Sequence, residues 1–336
     1  MTDLKPFLSD NAAPVHPKIW AAMQAADSAD NPYDGDALSA ELDARFSDLF
    51  GRECAGLWVA TGTAANCLAL ATMVQPHGAV VCHEEAHIEV DEGGAPGFYL
   101  HGAKLMLGAG EGAKLTPEGI AALIDPIRDD VHQVQPHAIS ITQATEYGRS
   151  YSPAELAALS EFAKARGLGL HMDGARFANA AAFLGGSAAD AAHGVDSLAF
   201  GCIKNGGMSA EAVVLFDPAQ ADLVKYRRKR GGHLQCKGRY LAAQILAMLD
   251  GDLWLANARH ANAASQEIAS GCGAERLMHP VEANELFVRL TETEREALRA
   301  QKFAFYDWGE DAARFVTAWD TRAEDASALG KAIASL

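Results

Sequence analysis

Cysteine pairs are missing from this chain: Cys54, Cys67, Cys82, Cys202, Cys236 and Cys272 are widely spaced, and no two form a C-x-x-C unit. Such usage leads us to expect a reducing, cytoplasmic setting. Positive charge is scarce as well, with 28 Lys and Arg against 44 Asp and Glu and a formal net charge of −16. Phosphate backbones and anionic membrane surfaces repel a chain of that sign, so nucleic acid and membrane are poor choices for its main partner. No stretch is apolar for the length a membrane span needs, and the opening MTDLKPFLSDNAAP lacks the charged-then-apolar pattern of a secretory signal. Internal repeats and low-complexity segments are also lacking. What the 336 residues do have is 49% hydrophobic content, enough to bury a full core and to divide into two domains.

The most informative stretch is Leu168–Gly207. One apolar run ends in His171-Met172-Asp173-Gly174-Ala175-Arg176, and a second, Ser197–Gly201, leads into Lys204 with glycines around it. Each run has strand length and stops at a turn signal, which puts Asp173, Arg176 and Lys204 at strand carboxyl ends, where open α/β sheets bind ligands. An acid, an arginine and a lysine at one such edge suit pyridoxal phosphate. The lysine holds the aldehyde as a Schiff base, and the acid keeps the pyridine nitrogen protonated.

The remainder of the chain supports an alternating α/β reading. A helix is expected from Pro17, and another over Ala37–Phe50, where Leu38, Leu42, Phe46 and Leu49 recur at helical spacing before Gly51. Gly56–Ala60 reads as a strand that runs through Thr61-Gly62-Thr63 into an apolar helix, Cys67–Val74. A strand, a small-residue turn and a helix start form an anion site, because free N–H groups and the helix dipole both favour a phosphate. Further strands are expected at Ala79–Cys82, Lys104–Leu107, Ala138–Thr142 and Ala212–Phe216, with helices opening at Thr116-Pro117 and at the capping box Ser152-Pro153-Ala154-Glu155. The cluster Gln143-Ala144-Thr145-Glu146 is a polar group at a strand carboxyl end, and His132 and His137 flank the start of that strand. A helix over Leu253–Ala269 and strands at Leu286–Val288 and Arg314–Val316 indicate a smaller α+β domain. The expected division is 1–240 for the large domain and 241–336 for the small one.

Two patterns pull towards other functions. His83-Glu84-Glu85-Ala86-His87 matches H-E-x-x-H, but that zinc pattern needs a helix, and this segment leaves a strand and soon meets Gly93-Gly94-Ala95-Pro96-Gly97. We therefore expect no metal, and a histidine at this strand end is better placed to cover a cofactor ring. Lys225–Arg239 holds seven basic residues and no acid. It reads either as a solvated helix face or as a segment that approaches an anionic cofactor in a neighbouring subunit.

The segments FLSDN, ATGTAAN, CHEEAHIEVDEGGAPGF, ITQATEYG, LHMDGARFANA, FGCIKNGG, PVEAN and ARFVTAWDT together resemble the β-eliminating lyase and threonine aldolase family, and within it the low-specificity L-threonine aldolases. The resemblance runs nearly end to end. It implies an aspartate-aminotransferase-like fold, with a mostly parallel seven-stranded large domain and a small α+β domain, in homodimers or homotetramers that share active sites. It also makes Lys204 the Schiff-base lysine, Asp173 the partner of the pyridine nitrogen and His87 the residue stacked on the ring. Gly62 and Thr63 would bind the phosphate, and Ser9, Arg176 and Arg314 would surround the cofactor phenolate and the substrate carboxylate. His132 matches a histidine near the substrate β-hydroxyl. Two departures stand out: Tyr33 is followed by Asp34-Gly35-Asp36 rather than Gly-Asp, and Lys204 lies between Ile203 and Asn205 where many members have Ser and Gly.

The implied reaction is retro-aldol cleavage of L-threonine, L-allo-threonine and related β-hydroxy-α-amino acids to glycine and an aldehyde. His132, His87 or a bound water are the candidates for the base that takes the β-hydroxyl proton. Another pyridoxal-phosphate-dependent β-eliminating lyase, or an aminotransferase, needs the same lysine and acid and is the nearest rival. A cofactor-binding scaffold without activity is a remote one.

Overall fold

The computed structural model describes residues 4–336. Seven strands make the large sheet: β1 Ala55–Val59, β2 Gly78–His83, β3 Lys104–Gly108, β4 Gln135–Thr142, β5 Gly169–Gly174, β6 Ser197–Phe200 and β7 Glu211–Leu215, in the order β1-β7-β6-β5-β4-β2-β3. All pairings are parallel except those of β7, which runs antiparallel to β1 and to β6. Every residue of β1, β2, β6 and β7 is buried, as expected for strands covered by helices on both faces.

Local signals position the helices. Asp36 caps the helix Ala37–Phe50 through the Ser39 N–H at 2.9 Å, and Gly51 ends it at φ 63°. Ser152 and Glu155 form the reciprocal capping box of the helix Pro153–Ala165. After β1 the helix starts earlier than its apolar residues imply, at Gly62 rather than Cys67, with Thr61 as cap. The helix begins directly at the turn, so its amino end faces the carboxyl edge of the sheet.

A second core lies around β8 Glu285–Arg289, β9 Tyr306–Trp308 and β10 Ala312–Val316, an antiparallel sheet in the order β9-β10-β8. The amino-terminal arm belongs to this core: Lys5–Pro6 pairs with Phe303–Ala304, and Phe7 is buried there. The expected division at residues 240 and 241 does not coincide with the change of core. Leu241, Ile245, Leu249, Trp254 and Ala258 pack in the first core, whereas Ala264, Ile268 and Cys272 pack in the second. The crossing therefore lies within one continuous helix, Leu253–Cys272. Helical periodicity shows that a face is apolar but not which core it meets. Among the described residues, no helix is long and apolar enough to cross a membrane.

Candidate active site

The carboxyl ends of the parallel strands open into a cavity of about 210 Å³. Asp173 comes to it from β5, Thr142 and Glu146 from the end of β4 and the turn after it, and His87 from the short helix His87–Val90 beyond β2. Lys204 sits on a 3-10 turn, Ile203–Asn205, after β6. That turn is drawn against β5: the Gly201 N–H donates to the Gly174 carbonyl at 3.0 Å, and a Cβ on Gly201 would lie 2.5 Å from the Ala175 oxygen. Glycine at 201 thus permits the approach that brings lysine and acid together. Asn205 faces away from the cavity, donating to the Trp254 carbonyl at 2.8 Å, while its own carbonyl accepts from Asn257 at 2.8 Å. It anchors the lysine turn to the helix Leu253–Cys272.

A buried polar chain supports Asp173. Its Oδ1 accepts from the Ala175 N–H at 2.9 Å and its Oδ2 from Asn66 Nδ2 at 2.8 Å. Asn66 Nδ2 also reaches Glu92 Oε1 at 3.0 Å, and that oxygen lies 2.9 Å from His87 Nδ1. Behind Asn66, its Oδ1 meets His171 Nε2 at 3.2 Å, and His171 Nδ1 meets the Ser197 hydroxyl at 2.9 Å. Burial lowers the His171 pKa to about 4, so the ring is neutral. Because Asn66 presents an oxygen to it, Nε2 carries the proton and Nδ1 accepts from Ser197. His87 behaves oppositely: its hydrogen bond to Glu92 raises its pKa.

Burial, reinforced by the positive charge of Arg176, depresses the pKa of Lys204, and this favours the neutral nucleophilic amine. Two glutamates are pushed the other way by burial, Glu146 to about 7 and Glu211 to about 8. Glu211 accepts from the Cys202 N–H at 2.6 Å, just below the lysine turn.

Of the residues expected from sequence, Lys204, His87, Asp173, Gly62, Thr63 and Arg176 line this one cavity. Ser9, Arg314 and His132 do not. Ser9 caps the turn Asp10–Ala12 through the Asn11 N–H at 3.1 Å, and Asn11 lines the cavity instead. Arg314 stands behind Arg176: its Nη2 contacts Glu285 Oε1 at 2.5 Å, and Glu285 Oε2 contacts Arg176 Nη1 at 3.2 Å. Arg176 also makes two bonds to Asp10, each 2.8 Å. Burial disfavours its charge, but these pairs outweigh it and raise the pKa above the ordinary value. His132 lies elsewhere in the chain. It is exposed in the turn before β4, its N–H bonded to Asp130 at 2.9 Å, whereas the cavity lies at the other end of that strand. The two histidines of H-E-x-x-H share no helical face. His83 closes β2, with its ring on the Gly110 carbonyl and the Glu85 N–H at 3.1 Å each, and His87 opens the next helix.

The donor set fits pyridoxal phosphate. At the amino end of the helix Gly62–Leu70, Thr61 Oγ1 engages the Ala64 N–H at 3.2 Å, and the N–H groups of Gly62 and Thr63 have no intrahelical acceptor. A Cβ built on Gly62 would meet nothing within 4 Å, so there is room for a phosphate at that terminus. Asp173 faces the same cavity as an acid for the pyridine nitrogen, and Lys204 as an amine for the aldehyde. Sequence reasoning passed over Asn66, His171 and Glu92, because an amide inside an apolar helix and a histidine inside a strand read as core.

Comparison with known proteins agrees with this geometry. The low specificity L-threonine aldolase of Pseudomonas aeruginosa is 43% identical over 341 residues, covering 99% of this chain and 98% of that protein. A solved structure of threonine aldolase from Leishmania major matches with a TM-score of 0.92 at 27% identity, covering 98% of both chains. An aspartate aminotransferase from Rhodobacter sphaeroides shares the fold, with a TM-score of 0.69 at 16% identity over 100% of this chain and 93% of that one. The Beta-eliminating lyase family matches residues 6–293, and with that span the chain belongs to the β-eliminating lyase family.

Proposed function

We propose that this chain is a pyridoxal-phosphate-dependent low-specificity L-threonine aldolase, which cleaves L-threonine, L-allo-threonine and related β-hydroxy-α-amino acids to glycine and an aldehyde. The observation that carries the reading is the convergence of Lys204, Asp173, His87 and the amino end of the helix Gly62–Leu70 on one cavity. Pyridoxal phosphate, when bound, supplies the electron sink that accepts the Cα–Cβ bonding pair. Lys204 would hold its aldehyde, Asp173 would keep a proton at its pyridine nitrogen, and His87 would cover its ring. The N–H groups of Gly62 and Thr63 take the phosphate. Arg176 meets the substrate carboxylate and fixes which bond at Cα stands across the ring, with Arg314 acting on it through the shared Glu285.

The working unit is a homodimer or homotetramer. Arg176 is already paired with two acids, so a doubly charged phosphate gains from cations of a second copy. The basic helix Ala221–Arg230 carries Tyr226 at 80% exposure, and Phe98 beside it is 78% exposed. A face of that kind suits another subunit. The Tyr33 loop is tied to the same segment, its N–H donating to the Cys236 carbonyl at 2.9 Å and its ring lying under Lys229. The six cysteines are free, five of them buried, in keeping with a cytoplasmic setting.

The test is product analysis with the purified protein and added cofactor. Equimolar glycine and acetaldehyde from L-threonine is the expected result. A keto acid with ammonia, or with an aminated acceptor, would point instead to an eliminating lyase or an aminotransferase.

A further inference from the structure

Glu146 is half-buried and lines the cavity beside His87 and Asp173. Its two oxygens are treated differently. Oε1 accepts from the Thr142 hydroxyl at 2.7 Å and from the His87 N–H at 3.1 Å. Oε2 is buried with no hydrogen-bond partner. A carboxyl oxygen in this condition lacks hydrogen bonding that a ligand can restore. Both fixed donors occupy Oε1, so a proton on this carboxyl resides on Oε2.

We propose that Glu146 is the base that takes the β-hydroxyl proton of the amino-acid substrate, through Oε2. The proposal rests on the aldolase reading above. Of the histidines considered from sequence, His132 is outside the cavity, and His87 has Nδ1 occupied by Glu92, which favours its protonated form. In the step, the hydroxyl proton moves to Oε2 and the O–H electron pair becomes the second bond of the aldehyde carbonyl. The Cα–Cβ bond breaks and its electron pair stays with Cα, for which the bound cofactor would supply the sink. Cα then takes up one proton to complete glycine, and Glu146 releases one to water, so the cycle balances. Burial sets the Glu146 pKa at about 7, which leaves base and conjugate acid both accessible near neutrality. The groups facing it are Asp173 from β5, whose charge raises the value further, His87 beyond β2, Cys82 on β2, and Tyr147 and Tyr151 in the following chain; Glu92 stands behind His87, on its ring.

Glu146→Gln keeps an oxygen for the two donors and loses the base. The expected result is a fall in kcat for L-threonine cleavage of about 10²–10⁴-fold with loss of the acid limb near pH 7, while the spectrum of the bound cofactor and solvent exchange of the glycine α-hydrogen persist. Glu146→Asp is the second variant, expected to retain measurable cleavage with a displaced acid limb. Independently of turnover, infrared spectra of the cofactor-free protein should show a carboxylic-acid band that titrates near pH 7 and is absent from Glu146→Gln. Unaltered cleavage and acid limb in Glu146→Gln overturn the proposal. So does a joint loss of cofactor binding, exchange and cleavage in both variants. If the wild type itself releases no glycine from L-threonine, the aldolase reading fails instead, and the infrared band still reports on the carboxyl.

Discussion

Asp173 and Glu146 reach the same cavity from neighbouring strands, Asp173 buried and Glu146 half-buried with its Oε2 enclosed, but their surroundings differ. Asp173 has a donor at each oxygen, and its partner Asn66 is itself held by His171 and, behind it, Ser197. Glu146 has both donors on one oxygen and none on the other. Burial alone therefore does not decide what a carboxyl group can do in this site; the placement of donors does. The first acid is suited to holding a proton on a bound ring, and the second to exchanging one with a substrate.

The sharpest way to break that comparison is Asp173→Asn. An amide cannot accept at both oxygen positions, and it sets a donor against Asn66 or Ala175. We expect kcat to fall about 10²–10³-fold, with cleavage of L-threonine and exchange of the glycine α-hydrogen falling together. The contrast with Glu146→Gln, which should spare exchange, is the readout; steady-state assays of both reactions on both variants provide it.

Glu211→Gln extends the comparison to a third acid and should act on stability. Burial raises the folded-state pKa of Glu211 from the ordinary 4.5 to about 8. Between those values the folded protein keeps a proton that the unfolded chain has released, so stability declines as pH rises through that window. Glu146, with a folded value of about 7, adds a decline of the same sign over a narrower range. Thermal unfolding at about pH 5 and about pH 8 should show Glu211→Gln gaining on the wild type at the higher pH, by at least about 1 kcal/mol. An equal offset at both pH values would contradict this.

The smallest effect belongs to His132, the residue outside the cavity. His132→Ala should leave kcat, KM and the acid limb unchanged and stability within about 0.5 kcal/mol. A loss of cleavage comparable to that of Glu146→Gln would return the base to this histidine.

The sequence made the lining of the cavity legible because that lining is made of strand ends. Apolar runs of strand length stop at Asp173 and before Lys204, and the turn Thr61-Gly62-Thr63 lies between a strand and a helix, so chain order alone put these residues at one edge. The His132 expectation came from the other end of β4, where no parallel strand carries the site. The polar cluster after β4 was visible, but its members diverge: Gln143 bonds to Tyr151 and Thr145 to the Gly112 carbonyl, while Glu146 and the small Ala144 line the site. Side-chain direction in such a turn is set by long-range partners, and spacing does not encode it. Asn66 was hidden for a related reason, since its amide gains meaning only from Asp173, 107 positions away.

The central claim is that Lys204 carries the cofactor at this edge of the sheet. Borohydride reduction of the cofactor-loaded protein, followed by peptide mapping, tests it most directly. The account predicts a reduced pyridoxyl adduct on the peptide containing Lys204 and none on the Lys204→Ala variant; an adduct on a different lysine, or no adduct under saturating cofactor, would contradict it.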